Sequence, residues 1–460
     1  MTRTNRALRG LALCAALAFS RPLMGGELRL ISLDPGHSHA AGVFARMLPG
    51  FSPEAHIYAP AGPDLLSFLD RVFFYNHRAA DPAHWSYSVY AGPDYLERML
   101  KEPPGNVVAV SGRNKGKIDY ILASIRAGQN VLADKPWIVD FQDFPKLEEA
   151  LRLARRDKVV AYDCMTLRFS VAYEIQRALV SDPRVFGAVE KGSASDPAVR
   201  LENLHALLKY SRGERSHRPA WFFDIRQQGE GIADVGTHLV DLAFWTLFAD
   251  SPIDYKTDIR VLAATRSPTV LTRSQFEQVT GEKAWPEFVR DAVRGDRLEY
   301  YDNNTVLFTV RGVHVRASSQ WEYEAPKGAG DSYLAVYRGG RATIRLGAGA
   351  AEHYTPEVEV IPNPAADREQ LLTALRERLR AMNSRYPGLS LRDEADGRIR
   401  VVIPNGLRAR DNGSFARLVD RFLGYIHDPQ TMPSWEAPNL LAKYYVTTKA
   451  VEVAKEIHKP

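Results

Sequence analysis

Asp234, His238 and Asp241 lie in the segment 229–241, where their spacing would place them along one side of a helix. If the chain is helical from Ile232 onward, these side chains share one face, opposite an apolar face. A carboxylate one turn from an imidazole can fix the tautomer of the ring and hold it ready to accept or donate a proton. The three residues are therefore predicted to be catalytic. The alternative is a helix cap with a buried polar pair.

Lys135 follows a predicted strand in the tripeptide Asp-Lys-Pro at 134–136. A lysine at the carboxyl end of a parallel strand points into the crevice where such folds bind ligands. We predict that its ammonium group is a general acid or base, or orients a substrate hydroxyl. The alternative is a surface lysine in a turn.

His37 and His39 occupy the loop after the first predicted strand, where a dinucleotide fold carries G-x-G-x-x-G. Only Gly36 and Gly42 of that pattern are present. Three interpretations stay open. The histidines contact substrate or are structural, they bind a metal ion through the His-x-His spacing, or the loop keeps a phosphate site at the next helix.

An acid that would bind the adenosine ribose is also missing from the end of the second predicted strand. The pattern therefore gives NAD(P) only weak support, with Gly36, Gly42 and Asp134 as the candidate cofactor contacts. A divalent metal is not expected, because the sequence names no third ligand.

Further candidates for substrate binding lie near the same predicted strand ends or just before the segment 229–241. Trp221 could stack on a sugar ring, or it packs between domains. The complete set of predicted substrate-binding residues is His37, His39, Tyr162, Asp163, Arg168, His205, Arg218 and Trp221.

A chain of 460 residues is too long for one ordinary core, so two domains are expected. In residues 27–165, short β-rich runs alternate with amphipathic stretches such as 117–127 and 144–156. Such repeats predict an α/β fold, a Rossmann-like doubly wound parallel sheet. Its strands are predicted at 28–33, 55–58, 87–90, 107–110, 131–133 and 159–162.

Residues 166–460 are predicted to form an α+β domain for substrate binding and oligomerisation, with a largely antiparallel sheet. A helix near 171–180 precedes an irregular stretch rich in His and Arg, and turns are predicted at 302–304, 311–312 and 339–340. The strand-like runs are 259–264, 298–301, 305–311, 313–321, 333–338 and 342–346. Helices at 368–382, 415–426 and 439–457 are expected to pack back onto the first domain.

Residues 1–26 predict a cleaved export signal, which makes the mature protein periplasmic or secreted. Three arginines precede an apolar run at 11–19 that is too short to span a membrane; the alternative is a buried N-terminal helix. Removing four arginines lowers the formal net charge from +5 to +1. Nothing then favours nucleic-acid binding, and no later apolar run is long enough for membrane insertion.

These motifs resemble those of the Gfo/Idh/MocA oxidoreductases, a family of sugar and cyclitol dehydrogenases. The family carries E-K-P after the fifth strand and G-G-G-x-x-x-D-x-G-x-H at a helix start. This chain has Asp-Lys-Pro at 134–136 and Gln-Gly-Glu-Gly-Ile-Ala-Asp-Val-Gly-Thr-His at 228–238. The resemblance covers about residues 27–350, and the later part is similar to the C-terminal extension of exported members. It implies that Lys135 contacts substrate and assists proton transfer, while Asp234 and His238 position and deprotonate a sugar hydroxyl.

Three functions remain open, each with a small-molecule or oligosaccharide substrate and a homo-oligomer as an expected assembly. The first is a carbohydrate oxidoreductase that acts on a sugar or uronic acid glycoside with a retained NAD(P). The second is a non-redox polysaccharide or glycoside lyase or hydrolase. In the lyase, His238 removes a proton beside a uronate carboxylate held by Lys135, Arg168 or Arg218. The third is an inert sugar-binding protein.

Overall fold

Six parallel strands form the first sheet of the computed structural model, which describes residues 27–211, 214–326, 329–409 and 413–457. The predicted export signal at 1–26 lies outside the described residues. The strands are β1 (Leu30–Leu33), β2 (Glu54–Tyr58), β3 (Ser86–Tyr90), β4 (Val107–Val110), β5 (Asn130–Ala133) and β6 (Ala161–Asp163). Their order is β3-β2-β1-β4-β5-β6, so the order reverses at β1, where such sheets open a ligand crevice.

The central strands β1, β4 and β5 are buried along their whole length, because helices cover both faces of the sheet. Helix α5 shows why: it buries the stripe Leu147, Ala150, Leu151 and Ala154 and exposes its charged side. The helices of this part are α1 (Ser38–Gly42), α2 (Pro63–His77), α3 (Tyr95–Met99), α4 (Lys117–Arg126) and α5 (Phe144–Asp157).

The second sheet has eleven strands and is largely antiparallel, with β7 and β12 as a parallel pair in its middle. Its main path is β10-β11-β12-β7-β13-β14-β15-β17-β16, with β8 beside β7 and β9 beside β11. The strands are β7 (Val199–Ser211), β8 (Glu214–Ser216), β9 (Ile259–Thr272), β10 (Val293–Arg294), β11 (Arg297–Val310), β12 (Val313–Glu324), β13 (Ser332–Arg338), β14 (Ala342–Ala348), β15 (Glu357–Pro362), β16 (Ser390–Asp393) and β17 (Ile399–Val402). The predicted fold class is confirmed.

Two local predictions in this sheet are wrong. The stretch predicted to be irregular contains β7. Its inward-facing residues change from the apolar Val199 and Leu201 to the polar Asn203 and His205, which hides the alternation of apolar and polar residues that predicts a strand. The predicted turn at 302–304 lies inside β11, where the register to β9 shifts between Tyr300 and Asn303. A β-bulge absorbs these turn-forming residues without ending the strand.

Helix α8 packs against β7 and β12, and the last two helices return to the first sheet as expected. The predicted helix at 368–382 does not, because its apolar side, with Leu371 and Leu375, packs into the core of the second sheet. Leu418 and Phe422 of α12 join the core that contains Leu30 and Ile57. The helices are α6 (Val171–Val180), α7 (Ile225–Gln228), α8 (Gly236–Leu247), α9 (Arg273–Thr280), α10 (Arg368–Met382), α11 (Asn405–Ala409), α12 (Ser414–His427) and α13 (Glu436–Ile457). Within the described ranges, no helix has the length and apolar character needed to cross a bilayer.

Candidate active site

Lys135 and Asp234 form a buried ion pair where the two sheets meet. Lys135 follows β5, and its Nζ lies 2.5 Å from Asp234 Oδ1. Gln228 Nε2 donates to the other carboxylate oxygen at 2.7 Å. Burial would raise the pKa of Asp234, but the charge and hydrogen bond of Lys135 outweigh it and lower that pKa. The pair is therefore a fixed ammonium–carboxylate dipole in a nearly dry environment.

The segment before α8 is a tight turn, which corrects the predicted helix from Ile232. Helix α8 begins at Gly236, so Asp234 precedes it and does not share a helical face with His238. Gly231 is required there, because a Cβ would lie 1.9 Å from the carbonyl oxygen of Asp302. Asn304 holds the turn by accepting from the Ile232 N–H at 3.1 Å. The residues predicted to form a turn at 302–304 thus position Asp234.

His238 lies in the first turn of α8 as a half-buried imidazole. Burial, followed by the positive charge of Lys135, lowers its pKa to about 3. No hydrogen bond of its ring joins it to another residue of the described ranges. A neutral, unengaged imidazole beside an ammonium group has a free lone pair that can accept a hydrogen bond from a bound ligand.

The pKa of His238 predicts a pH-dependent stability that can be measured. An ordinary value of 6.5 in the unfolded chain exceeds the folded value of about 3, so stability is lost as the pH falls from 6.5 toward 3. From about pH 7.5 to about pH 5, the wild type should lose about 2 kcal/mol more unfolding free energy than His238→Gln in urea titrations.

The charged form of the His238 imidazole is disfavoured by Lys135, Lys443 and His39 and favoured by Asp241. The matched control is His77→Gln, which removes an exposed histidine and should follow the wild type at both pH values. Equal losses in the wild type and His238→Gln would contradict the lowered pKa.

Asp241 points away from the pair into a buried network. The Arg168 guanidinium donates to both of its oxygens, each at 2.6 Å, and to Glu436 at 2.8 Å. Lys443 Nζ lies 3.6 Å from Asp241 and 2.6 Å from Asp163. The predicted roles of Arg168, Asp163 and Asp241 at the substrate are therefore replaced by a structural one, since Arg168 binds Asp241 and Lys443 binds Asp163.

Tyr162 also lies in the core and not in the crevice. Its ring stacks on Phe422 and meets Tyr425 edge to face, and burial raises its pKa well above the ordinary value. Because side chains alternate along β6, Tyr162 and Asp163 face opposite sides of the sheet. The strand end thus contributes to packing on both sides.

His37 and His39 flank the carboxylate of Asp134, which is 1% exposed. The Nδ1 atoms lie 2.8 Å from Oδ2 and 2.9 Å from Oδ1, respectively. Burial would raise the pKa of Asp134, but the two histidines hold it well below the usual range. Burial lowers the pKa of His37. One nitrogen or oxygen from each side chain lies within 4.8 Å of the others, so Asp134 is the third candidate metal ligand that the sequence does not reveal.

The loop before α1 does not fit a dinucleotide pyrophosphate. The N–H groups of Gly36 and His37, which would bind phosphate oxygens, both donate to the carbonyl of Ser111, at 3.1 and 2.8 Å. Gly36 faces Asp64, and Gly42 faces the ring of Phe415. The three predicted cofactor contacts, Gly36, Gly42 and Asp134, therefore have protein neighbours instead.

Arg218 and Trp221 are held by protein contacts near the same cleft. Arg218 donates to the carbonyls of Ala206 and Leu207 at 3.0 and 2.9 Å, and burial lowers its pKa. Trp221 donates to Asp64 at 3.2 Å and so joins the two domains. Trp221 thus has the packing role that was the alternative to sugar stacking.

A polar patch lies on β7, β11 and β12, and of its residues the sequence predicts only His205. His205 Nδ1 binds Asp331 at 2.8 Å, and its ring lies 4.9 Å from that of Trp321. The patch comprises Asn203, His205, Asp302, Ser319 and Trp321; in each of them a buried polar atom has no hydrogen-bond partner among the described residues.

The strand register pairs Asn203 with Ser319 and His205 with Trp321. A Cβ on Gly231 would lie 3.3 Å from Ser319 Oγ, so the turn that carries Asp234 rests on this patch. The signal in the sequence was the switch to polar residues at 203 and 205 in an otherwise apolar alternation.

Comparisons with known proteins agree with this architecture. The family model described as "Putative oxidoreductase C terminal domain" matches residues 175–455. The crystal structure of a putative oxidoreductase from Parabacteroides merdae ATCC 43184 has 39% identity and a TM-score of 0.90, covering 94% of this chain and 98% of that one.

More distant similarities show the fold alone or cover a short region. KijD10, a 3-ketoreductase from Actinomadura kijaniata solved with NADP, has 13% identity and a TM-score of 0.56, with 94% and 98% coverage. "Putative oxidoreductase YteT" of Bacillus subtilis (strain 168) is 23% identical over 155 residues, 34% of this chain and 32% of that protein. The chain thus matches about a third of that curated relative's length.

Proposed function

The chain belongs to the Gfo/Idh/MocA family of oxidoreductases, and within it we propose an enzyme that moves a proton on a sugar or uronic acid glycoside. Lys135, Asp234 and His238 carry that step. The observation behind this proposal is the buried Lys135–Asp234 pair, 2.5 Å long, beside a neutral imidazole.

The three residues have distinct parts in the step. Asp234 fixes the Lys135 ammonium group, which has further N–H bonds to orient and polarise a substrate oxygen. His238 accepts the proton from the hydroxyl group, or from an acidic C–H beside a carboxylate. The low pKa of the free imidazole leaves His238 available as an acceptor at neutral pH.

A polyhydroxylated ligand is supported by the polar patch. Its unpartnered groups include both side-chain polar atoms of Asn203, the Nε2 of His205 and the hydroxyl of Ser319. Buried polar atoms without partners are costly, at about 1–3 kcal/mol each. Sugar hydroxyls both donate and accept hydrogen bonds, so they match the mixture of donors and acceptors in this buried patch.

The chemistry at the carbon has two candidates. Oxidation is supported by family membership and by the fold shared with a ketoreductase solved with NADP. Elimination is favoured by a specific observation: the amides of Gly36 and His37 are already bound to Ser111, which does not suit a pyrophosphate. Elimination needs no hydride acceptor. His238 would take the proton beside the carboxylate while Lys135 neutralises that carboxylate. The protonated His238 would then give the proton to the departing glycosidic oxygen as the C–O bond breaks.

The test is a panel of sugar and uronic acid glycosides incubated with the purified protein, with products weighed by mass spectrometry. Loss of two hydrogen atoms indicates oxidation, an unsaturated fragment elimination, and gain of water hydrolysis. A denatured extract is analysed in parallel for released NAD(P). Conversion that is lost in Lys135→Met supports the proposal. Sugar binding without conversion would overturn it in favour of an inert binding protein.

A further inference from the structure

We infer that His37, His39 and Asp134 together bind one divalent transition-metal ion. The inference is independent of the proton transfer proposed above, because it concerns the loop before α1 and is tested by binding. The three side chains come from two separate segments and converge at the carboxyl edge of the first sheet. His37 and His39 lie at the start of α1, which follows β1, and Asp134 lies in the loop after β5.

The spacing of the three side chains suits a shared cation. Each histidine Nδ1 lies within 2.9 Å of one oxygen of Asp134. A metal ion bound at about 2.0–2.2 Å by nitrogen and oxygen ligands brings those atoms roughly 3 Å apart. The two histidine–carboxylate separations are already close to that arrangement. The three ligand atoms lie within 4.8 Å of one another, so a metal ion would draw the two histidine rings closer together.

The contact between His37 and Asp134 favours a cation between the two side chains. His37 Nδ1 lies 2.8 Å from Asp134 Oδ2, an oxygen of a carboxylate that is 1% exposed. At that distance a proton or a metal ion must lie between the two atoms. A metal ion bound here would replace the proton of the hydrogen bond between His37 and Asp134.

The nearby lysines do not fill this role. Lys135 is directed to Asp234 at 2.5 Å. Lys117 Nζ donates to the main-chain carbonyl of Asp134 at 3.1 Å and to Asn114 at 2.8 Å. In the described part of the chain, the carboxylate oxygens of Asp134 therefore have only the two histidines as charged or ionisable partners.

Two imidazoles and one carboxylate favour zinc, iron(II), cobalt(II) or manganese(II) over magnesium or calcium, which prefer oxygen ligands alone. Three protein ligands leave coordination positions open. The next residue after Asp134 is Lys135, so an open position would lie near the catalytic ammonium. Its ligand would be a hydroxyl or carboxylate oxygen of a sugar.

The test uses tag-free protein of the full mature chain, treated with a chelator and dialysed against Zn²⁺ or Co²⁺. We expect one equivalent of Zn²⁺ per chain by elemental analysis, and visible Co²⁺ absorption bands of a nitrogen- and oxygen-ligated site. Zn²⁺ should also raise the Tm of the wild type. Asp134→Asn and the double variant His37→Ala/His39→Ala should bind at least tenfold more weakly.

His56→Ala is the matched control, because His56 also pairs with a carboxylate, that of Glu102, but away from the site. It should keep full binding, and circular dichroism establishes that each variant is folded. If the double variant fails to fold, His39→Gln alone replaces it. No stoichiometric binding by the wild type, or equal binding by the folded ligand variants, would overturn the inference.

Discussion

Lys135→Met is expected to lower kcat roughly a thousandfold on the substrate that the glycoside panel identifies, within the range for removing a group that stabilises charge in the transition state. The ammonium that polarises the substrate oxygen is lost. Asp234 is then left buried without its cation, which raises the pKa of its carboxyl group. The measurement is steady-state kcat and KM, with Lys101→Met as a control that removes an exposed lysine and should retain wild-type rates.

Lys135→Arg and Asp234→Asn separate the charge of Lys135 from its position. The arginine keeps a cation, but its planar guanidinium cannot take the place of the compact ammonium group at the substrate oxygen, so KM should stay near the wild-type value while kcat falls. Because the two residues act as one unit, Lys135→Met/Asp234→Asn should be about as slow as the slower single variant. Full activity in Lys135→Met would remove this site from the mechanism.

The sequence predicted the convergence of the site because parallel strands end at one edge of a sheet. His37 and His39 follow β1, Asp134 and Lys135 follow β5, and all four lie at that edge. The strand ends could be predicted from apolar runs, so the residues that follow them at this edge could be predicted as well. The first sheet and the central pair of charged residues were thus accessible from local patterns.

The remaining contacts were not accessible, because they join residues far apart in the chain. No local sequence pattern predicts that Asp241 binds Arg168 and approaches Lys443. The same is true of Asn304, which holds the turn at Ile232. The spacing of Asp234 and His238 matched a helix, but the contact of Gly231 with β11 imposes a turn there. Tertiary packing therefore decided the details that local spacing left open.

Arg168→Ala is expected to destabilise the folded chain by about 3–5 kcal/mol, the usual cost of breaking a buried ion pair from one side. It leaves Asp241 and Glu436 as buried carboxylates, and Lys443, 3.6 Å from Asp241, only partly compensates. The measurement is urea unfolding at neutral pH. Arg98→Ala is the control, because its pair with Asp94 is exposed and should contribute at most about 1 kcal/mol.

This network should also affect turnover, since α8 carries both His238 and Asp241. Arg168 links that helix to Glu436 of α13, and Lys443 links α13 to Asp163 at the end of β6. Loosening the link should shift His238 relative to Lys135, so kcat should fall while KM changes little. Arg168→Lys keeps the charge but cannot donate to both oxygens of Asp241, so it should restore stability only in part. A stability loss below about 1 kcal/mol in Arg168→Ala would contradict the structural role of the network.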